Sequence, residues 1–390
     1  MIEGWVTAIE TMPDLSAATA ALVRRPPAGS TSAAPAACAL PFARFREQDG
    51  LVRAWRRLEE SASLPTQSHA FAAALADTML SRSHIEIFYI AKGDDVAALL
   101  PLCREPGRFS RWTMVGAHQV CEPDDALYRN SESARLLAEA LVRDGRPLEI
   151  DRLACGSALV PALRSALRGK GWMSVRPAIP TPTIELEPKW RDPASCFNSG
   201  RRSDFRRAAR RAEEFGEVGF ELLSPGPAEF DALFDEAVGV ELRSWKAEAG
   251  TAIAADQAKE SCFRHFFRSA CEQGSFRIAF MRIDGRAVAM QMAIETLGRF
   301  WLFKIGFDES YERCSPGTLL MLHSIGWAAR RGLAAYELLG NVEPWIAVFW
   351  TRQQHDCVWV RAYPFNAGGA FAFAADAVAA LRRRLAPASA

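Results

Sequence analysis

The segment RFWLFKIGFDESYERCSPGT, residues 299–318, joins an apolar strand pattern to the start of a helix. Apolar side chains dominate from Phe300 to Phe307, and a polar loop follows. The loop ends in Ser315, an N-cap residue type, with proline at the first helical position. Backbone N–H groups and the positive end of such a helix suit a pyrophosphate. The alternative is an ordinary capped helix, since Ser-Pro-Gly begins many of them.

The same order of elements occurs twice in the chain. In the second half, an Asp284-Gly285 turn predicts a hairpin between Phe276–Ile283 and Ala287–Glu295. A strand, a helix and a short buried strand are predicted after it: Phe300–Phe307, Thr318–Arg331 and Ala335–Leu339. A matching hairpin, helix and strand are predicted about 190 residues earlier: His84–Ile90 with Val96–Leu102, Ser133–Arg143 and Pro147–Leu153.

This repeat predicts a duplicated α+β fold, with a mixed, mainly antiparallel sheet flanked by helices. The prolines at 177, 180, 182 and 188 predict a junction near residue 188. The predicted division is a flexible segment at 1–41, one domain at 42–188, a second at 189–366, and a helix or tail at 367–390. Ordered structure is expected to begin near Phe42.

Composition excludes several classes of protein. Lys and Arg number 47 and Asp and Glu number 46, a net charge of +1, so no global field draws the chain to DNA or to a membrane. The nine cysteines are scattered without CxxC spacing, which favours reduced thiols, a cytoplasmic location and no metal site. Walker A, GxGxxG, GxSxG and HExxH motifs are absent.

Neither end of the sequence predicts a membrane segment. Glu3, Glu10 and Asp14 precede any basic residue, the reverse of a secretory signal, so we expect no export. The small-apolar run Ala367–Leu381 contains Asp376 and is too short to cross a bilayer. We expect it to form a terminal helix on a globular surface.

A cluster of arginines and a single lysine each have two interpretations. Six arginines surround Asp204 between Arg201 and Arg211, and they either form a solvated helix face or contact an anionic carrier or acceptor. Lys304 belongs to the alternation Phe300, Leu302, Lys304, Gly306, so it places a charge on an apolar strand face. Its ammonium either snorkels to solvent or lies beside a phosphate or an acyl carbonyl.

Taken together, these segments resemble the GNAT superfamily of acyltransferases, and more narrowly its CelD/BcsL-like branch, related to the duplicated FemAB enzymes. The resemblance spans about residues 45–365. It depends on Arg201-Arg202-Ser-Asp204-Phe-Arg206-Arg207, Glu241-Leu-Arg-Ser-Trp245-Lys246, Lys304-Ile-Gly-Phe-Asp308 with Tyr311, Ser315-Pro-Gly317, and Gly340-Asn-Val-Glu-Pro-Trp345. The Gln/Arg-x-x-Gly-x-Gly/Ala loop of classical members is replaced by Ser-Pro-Gly.

The resemblance implies a duplicated GNAT-like fold and a donor site for acyl-CoA, such as acetyl-CoA, where strands 300–307 and 335–339 splay apart. The residues implied to bind the donor are Lys304, Asp308, Ser315, Gly317 and Thr318. Glu241, at the end of the helical pattern Phe230–Val240, is implied as general base, and Tyr311 as proton donor to the leaving thiolate. The residues implied to bind substrate are Arg202, Arg206, Trp245 and Lys246.

Structural roles are open for several of these residues: capping for Asp308, packing for Tyr311 and Trp245, and surface exposure for Glu241. The function expected is acyl transfer to an amine or hydroxyl of a small-molecule or carbohydrate-precursor acceptor, in exopolysaccharide or cell-envelope biosynthesis, in association with polysaccharide synthesis machinery. One alternative is a FemAB-like transferase that uses aminoacyl-tRNA. The other is a GNAT-like accessory module of a polysaccharide synthase without catalysis, which the missing glycine loop favours.

Overall fold

The computed structural model describes residues 34–107, 109–244, 246, 250–340 and 344–385. The strands are β1 Ala36–Pro41, β2 His84–Lys92, β3 Asp95–Arg104, β4 Trp112–Met114, β5 Leu127–Tyr128, β6 Leu148–Ala154, β7 Gly171–Glu185, β8 Val218–Leu223, β9 Phe276–Ile283, β10 Arg286–Thr296, β11 Arg299–Phe307, β12 Ala335–Glu337 and β13 Gln354–Pro364. The α-helices are α1 Phe42–Arg46, α2 Asp49–Leu58, α3 His69–Asp77, α4 Ser131–Asp144, α5 Leu159–Ala166, α6 Ser199–Glu213, α7 Phe230–Leu242, α8 Gln257–Glu272, α9 Pro316–Arg330, α10 Pro344–Phe349 and α11 Ala367–Leu385. Among the described residues, no helix has the length and apolar content to span a membrane.

The strands form one sheet in the order β1-β2-β3-β4-β6-β13-β7-β12-β11-β10-β9-β8, with β5 paired to β3. The pairs β4–β6 and β11–β12 are parallel, and the other described pairs are antiparallel. The predicted fold class is therefore confirmed. The Asp284-Gly285 turn joins β9 to β10 with both residues at positive φ, 48° and 78°, as a type I′ turn requires.

Each half of the chain has a hairpin, a strand, a helix and a strand parallel to the earlier one: β2–β3, β4, α4, β6 and then β9–β10, β11, α9, β12. The last strand of each half, β7 or β13, crosses to the other half. The two pair with each other from Gly171 opposite Pro364 to Pro182 opposite Gln354, while β7 also pairs with β12 and β13 with β6. Residues 354–364 therefore belong to the second half in sequence but pair with strands of the first half. The domain boundary at residue 188 stays a prediction.

The structure adds one detail at the proline-rich segment and corrects the expected start of ordered structure. Pro177, Pro180 and Pro182 lie inside β7, because the register with β13 shifts beside them, between His355 and Cys357, and a bulge is one of the places where a strand tolerates proline. Ordered structure also begins before Phe42: residues 36–41 pair with β2 as an edge strand. Residues 1–33 lie outside the described part of the chain.

The sheet separates two helical layers in the second half of the chain. On one face, α7 and α8 bury aromatic side chains against β9, β10 and β11, including Phe234, Phe263 and Phe267. The first half adds to this core through α3, where the Phe71 ring lies 5.0 Å from the Phe266 ring. On the other face, α6 and α9 pack small and aliphatic residues against the same strands. This arrangement places the two strands of the candidate site between two rigid layers.

Candidate functional site

An opening forms where β11 and β12 diverge. They pair only from Arg299–Trp301 to Ala335–Glu337, and β11 continues to Phe307 without β12 beside it. The chain after β12 turns away because Leu339 and Gly340 both have positive φ, 45° and 58°. The N-terminal half holds this turn: the Leu338 N–H donates to the Pro182 carbonyl at 3.0 Å. The splay implied by the resemblance is thus present, although β12 ends at Glu337.

The first half of the chain also supplies charged groups at this turn. The Gly340 N–H donates to the Glu122 carboxylate at 3.1 Å, and the Arg152 guanidinium donates to the carbonyls of Gly340 and Cys121. Arg152 and Cys121 also have positive φ, 52° and 57°. Strained backbone of this kind persists only where the surroundings hold it, and it clusters at functional sites. Contacts from both halves therefore shape the opening.

A β-bulge decides which face of the sheet Lys304 occupies. Met292 of β10 lies opposite Lys304 and Ala293 lies opposite Leu302, so Phe303 is the extra residue on β11. An extra residue reverses the alternation beyond it. Phe300 and Leu302 pack with α9 residues, whereas the Lys304 ammonium lies 4.0 Å from the centre of the Phe263 ring on α8. The predicted alternation of Phe300, Leu302, Lys304 and Gly306 on one face was wrong, because sequence spacing does not reveal a bulge.

Lys304 is a cation in a largely apolar setting. Burial lowers its pKa to about 8, and attraction to Glu122 opposes that effect. The side chain is therefore mostly charged at pH 7 and loses its proton at a lower pH than an exposed lysine does. The ring face of Phe263 attracts a cation. Lys304 thus places a positive charge on the stretch of β11 that does not pair with β12.

A buried acidic loop, residues 122–125, lies at this opening, and sequence reasoning missed it. Glu122, Asp124 and Asp125 are all buried. Burial raises the pKa of Asp124 to about 8 and that of Asp125 to about 7, although Thr66 and Ser157 hydroxyls donate to them. Burial also raises the pKa of Glu122. The available signal was three carboxylates around one proline, a pattern that usually marks a solvated turn.

Glu241 and Lys246 form a buried ion pair next to β11. Glu241 is 1% exposed and accepts from the Ile253 N–H at 2.7 Å and from the Lys246 ammonium at 3.0 Å. The same ammonium donates to the Ile305 carbonyl at 2.5 Å. The pair therefore ties the end of α7 to the strand that carries Lys304. The structure brings Glu241, Lys246 and Lys304 together, while Trp245 lies outside the described residues.

Asp308 and Tyr311 lie in the segment that leaves β11. Asp308 is buried and caps the 3-10 turn Glu309–Cys314 through the Ser310 N–H, and it also accepts from Arg243 and Arg286. Burial acts to raise its pKa, but the bonds from Ser310 and Arg243 lower it overall. The Tyr311 ring lies 5.2 Å from the Phe215 ring. These contacts are the capping and packing roles that the sequence left open.

The start of α9 differs from the prediction in one respect. Ser315 is exposed and has a φ of 48°, and its hydroxyl accepts no capping bond. Its carbonyl accepts the Thr318 and Leu319 N–H groups instead. A Cβ at Gly317 would lie 3.4 Å from the Phe307 ring, so the helix begins against the end of β11. The predicted N-cap serine therefore acts through its backbone.

The arginines of α6 lie in the same helical layer as α9. Arg202 and Arg206 are exposed, and Arg202 donates to the Phe197 carbonyl at 3.3 Å. The buried face of α6 consists of Phe205, Ala208 and Ala212. The structure therefore divides the candidate residues into two groups. Glu241, Lys246 and Lys304 belong to the α7/α8 layer, and Arg202, Arg206 and the start of α9 belong to the other. Among the described residues, no cluster of His, Cys, Asp and Glu could hold a metal.

A family model and two solved structures agree with this fold. Residues 199–345 match the family model described as acetyltransferase (GNAT) domain. The fold is similar to that of FemX, with a TM-score of 0.54 at 9% identity over 81% of this chain and 96% of that one. It is similar to the C-terminal DUF2156 domain of a protein named as a lysylphosphatidylglycerol synthetase of Agrobacterium fabrum, with a TM-score of 0.50 at 14% identity over 84% and 95%. A tandem GNAT protein from the clavulanic acid biosynthesis pathway has a TM-score of 0.41 at 14% identity over 84% and 98%. No curated protein matches the sequence.

Proposed function

We propose that this protein transfers an acyl group from an acyl-CoA-type thioester, such as acetyl-CoA, to an amine or hydroxyl acceptor. One observation carries the proposal: β11 has no β12 beside it after Trp301, and Lys304 lies in this stretch with its ammonium on the α8 side. An open strand edge can bind an amide-bearing carrier as an added strand would. The GNAT acetyltransferase domain matched at 199–345 supports the same reaction.

The proposed reaction needs no covalent enzyme intermediate. The acceptor nitrogen or oxygen attacks the thioester carbonyl carbon, the C–S bond breaks, and the acceptor's proton ends on the leaving thiolate. The Lys304 ammonium would stabilise negative charge on the carbonyl oxygen or a carrier phosphate. Tyr311 stays our candidate for protonating the thiolate. Our candidates for carrier contacts are Asp308, Ser315, Gly317 and Thr318.

For the acceptor, we propose a carbohydrate precursor in exopolysaccharide or cell-envelope biosynthesis, handled in the cytoplasm in association with polysaccharide synthesis machinery. The support is the motif resemblance to the CelD/BcsL-like branch. Glu122 adds a buried carboxylate at the opening, and a carboxylate accepts hydrogen bonds from sugar hydroxyls or amines. Trp245, Lys246, Arg202 and Arg206 stay candidates for acceptor contacts.

An aminoacyl-tRNA donor is the second candidate. The exposed arginines of α6 favour it, because guanidinium groups bind phosphates well and because α6 packs against the start of α9. A GNAT-like module without catalysis is the third, and it would bind a donor or acceptor without turnover.

Binding of a donor panel distinguishes these candidates. Acyl-CoA thioesters, free coenzyme A and aminoacyl-tRNA would be titrated by calorimetry and thermal shift, since a specific ligand raises stability as its concentration exceeds Kd. We expect acyl-CoA to bind wild type, and Lys304→Met to weaken it by about 10- to 100-fold, the loss of one charge-assisted contact. Wild-type affinity should also fall above about pH 8, where Lys304 loses its proton.

Lys92→Met is the matched control, because Lys92 is an exposed lysine at the end of β2. Circular dichroism would check that each variant folds. Equal acyl-CoA affinity in wild type and Lys304→Met would remove Lys304 from the donor site. Binding of aminoacyl-tRNA without binding of any coenzyme A species would favour the second candidate. Donor binding without product formation on any acceptor would favour the third.

A further inference from the structure

The outer surface of α11 carries large apolar side chains in water. Phe371 is 58% exposed and Leu381 is 57% exposed, and Val378 lies between them on the same helix. Phe365, in the turn before the helix, is 72% exposed. Single exposed apolar residues are ordinary, but a contiguous group of them marks an interaction surface. These four residues together are here named the α11 patch.

The helix anchors to the sheet by a different face. Ala372 is buried, and the Phe373 ring packs edge-on against Trp172 and Tyr363 at 5.3 and 5.5 Å. Asp376 accepts from the Tyr363 hydroxyl and from Arg111. The outward face carries Phe371, Ala374, Ala375, Val378, Ala379 and Arg382, which line a shallow open depression. These positions recur at helical spacing, so α11 has a second apolar face. The Phe109 ring stacks on Phe371 at 5.1 Å, but Phe371 stays 58% exposed and Phe109 is itself 37% exposed, so this face remains open to solvent.

Positive charge borders the α11 patch at both ends. Arg382 and Arg383 are exposed at the end of the helix. At the other end, the Phe365 N–H donates to the carbonyl of Lys170, an exposed residue. Asp376 is the one acidic residue within the helix sequence, and its carboxylate is already bonded to the sheet. No acidic side chain of α11 is therefore available to meet these cations.

The charge pattern decides what covers the patch. A second copy packed on the same surface would bring one basic rim against another in a symmetric interface, because such an interface uses the same patch on both subunits. An anionic lipid surface instead offers negative headgroups to the cations and acyl chains to the aromatic rings. Both features of the patch then have a complementary partner.

We propose that α11, with Phe365, lies in the interface of an anionic lipid bilayer as a peripheral contact. Phe365, Phe371, Val378 and Leu381 enter the headgroup boundary, and Arg382, Arg383 and Lys170 bind lipid phosphates. The helix lies parallel to the membrane plane and does not cross it. This inference stands independently of the transferase reaction, since none of these residues belongs to the opening between β11 and β12.

Vesicle co-sedimentation tests the proposal with the full chain. We expect the protein to sediment with vesicles of phosphatidylcholine and phosphatidylglycerol mixed at about three to one, and much less with phosphatidylcholine alone. Phe371→Ser should reduce the partition coefficient by about tenfold, in keeping with the loss of one buried aromatic side chain. Arg382→Glu with Arg383→Glu should reduce it at least as much, and added salt should weaken wild-type binding.

Phe220→Ser is the matched control, because Phe220 is 37% exposed on β8 at the far edge of the sheet. It should bind vesicles as wild type does. Circular dichroism and thermal melts check folding, and if Phe371→Ser fails to fold, the arginine variant alone carries the test. Equal binding to both vesicle types, or unchanged binding in the arginine variant, would overturn the proposal. A concentration-dependent dimer that is lost in Phe371→Ser, without vesicle binding by wild type, would also overturn it and assign the patch to a second copy.

Discussion

Glu241→Gln separates a positioning role for this carboxylate from the general-base role implied by the family resemblance. Both carboxylate oxygens accept a bond, one from Ile253 and one from Lys246. Glutamine keeps the shape but offers one acceptor oxygen and one amide nitrogen, so one of the two donors would face another donor. The variant also leaves the Lys246 ammonium without its counter-charge.

The expected loss of stability follows from the burial of both side chains of the ion pair. Breaking a buried ion pair by removing one partner costs about 3–5 kcal/mol. Lys246 is 16% exposed and keeps its bond to the Ile305 carbonyl, which lowers the expected cost toward about 3 kcal/mol. We therefore expect Glu241→Gln to lower the free energy of unfolding by about 3 kcal/mol. Lys246→Met should cost a similar amount, and the double variant less than the sum.

Urea unfolding of the four proteins measures these values, and turnover with the best donor and acceptor is measured on the same samples. If Glu241 positions β11 through Lys246, turnover should fall in Glu241→Gln and Lys246→Met alike. The pH–rate profile of the remaining activity should keep its shape. The opposite result would be a Glu241→Gln variant whose free energy of unfolding lies within about 0.5 kcal/mol of wild type but whose turnover is lost, while Lys246→Met retains turnover. That result would refute this reasoning and support a general-base role for Glu241.

Three further outcomes are expected from the packing. Glu337 is 1% exposed, and its carboxylate lies 3.0 Å from the His355 ring and raises the pKa of His355. Wild type should therefore be more stable than His355→Gln by the full amount below the pKa of unfolded His355, about 6.5. This difference in unfolding free energy should shrink as the pH rises through the pKa of folded His355. Gly369→Ala should lower the free energy of unfolding by about 3 kcal/mol in thermal melts, because a Cβ would lie 1.8 Å from the Pro364 carbonyl oxygen. Gly368→Ala should be mild, because its Cβ meets only side-chain atoms, the closest at 3.3 Å. A chain that begins at Phe42 should melt several degrees below one that begins at Ala34, since it lacks β1, and equal melting temperatures would show that β1 contributes little.

Local pattern was sufficient for most elements of the fold. The hairpin around Asp284-Gly285, the strand after it and the helix that starts beside Ser315 appear within a residue or two of the predicted bounds. Each depends on neighbours in sequence: turn chemistry, apolar alternation, and proline at the first helical turn. The repeated order of these elements also indicated the duplicated architecture.

The candidate site was predictable only in part. The motifs drew attention to Glu241, Lys246 and Lys304, and the fold brings them together. The acidic loop with Glu122 was missed, because its burial depends on packing between segments more than two hundred residues apart, as the Glu122 bond to Gly340 shows. Asp308 and Tyr311 have neighbours that no sequence spacing reveals.

By itself, the sequence determined the element types, the fold class and the doubling of one unit, because these follow from interactions within short segments. Only the tertiary structure decided the exchange of β7 and β13, the divergence of β12 from β11, and the face on which Lys304 lies. The last of these depends on one extra residue, Phe303, in the register between β10 and β11. Register is a property of two strands together, so neither strand's sequence contains it.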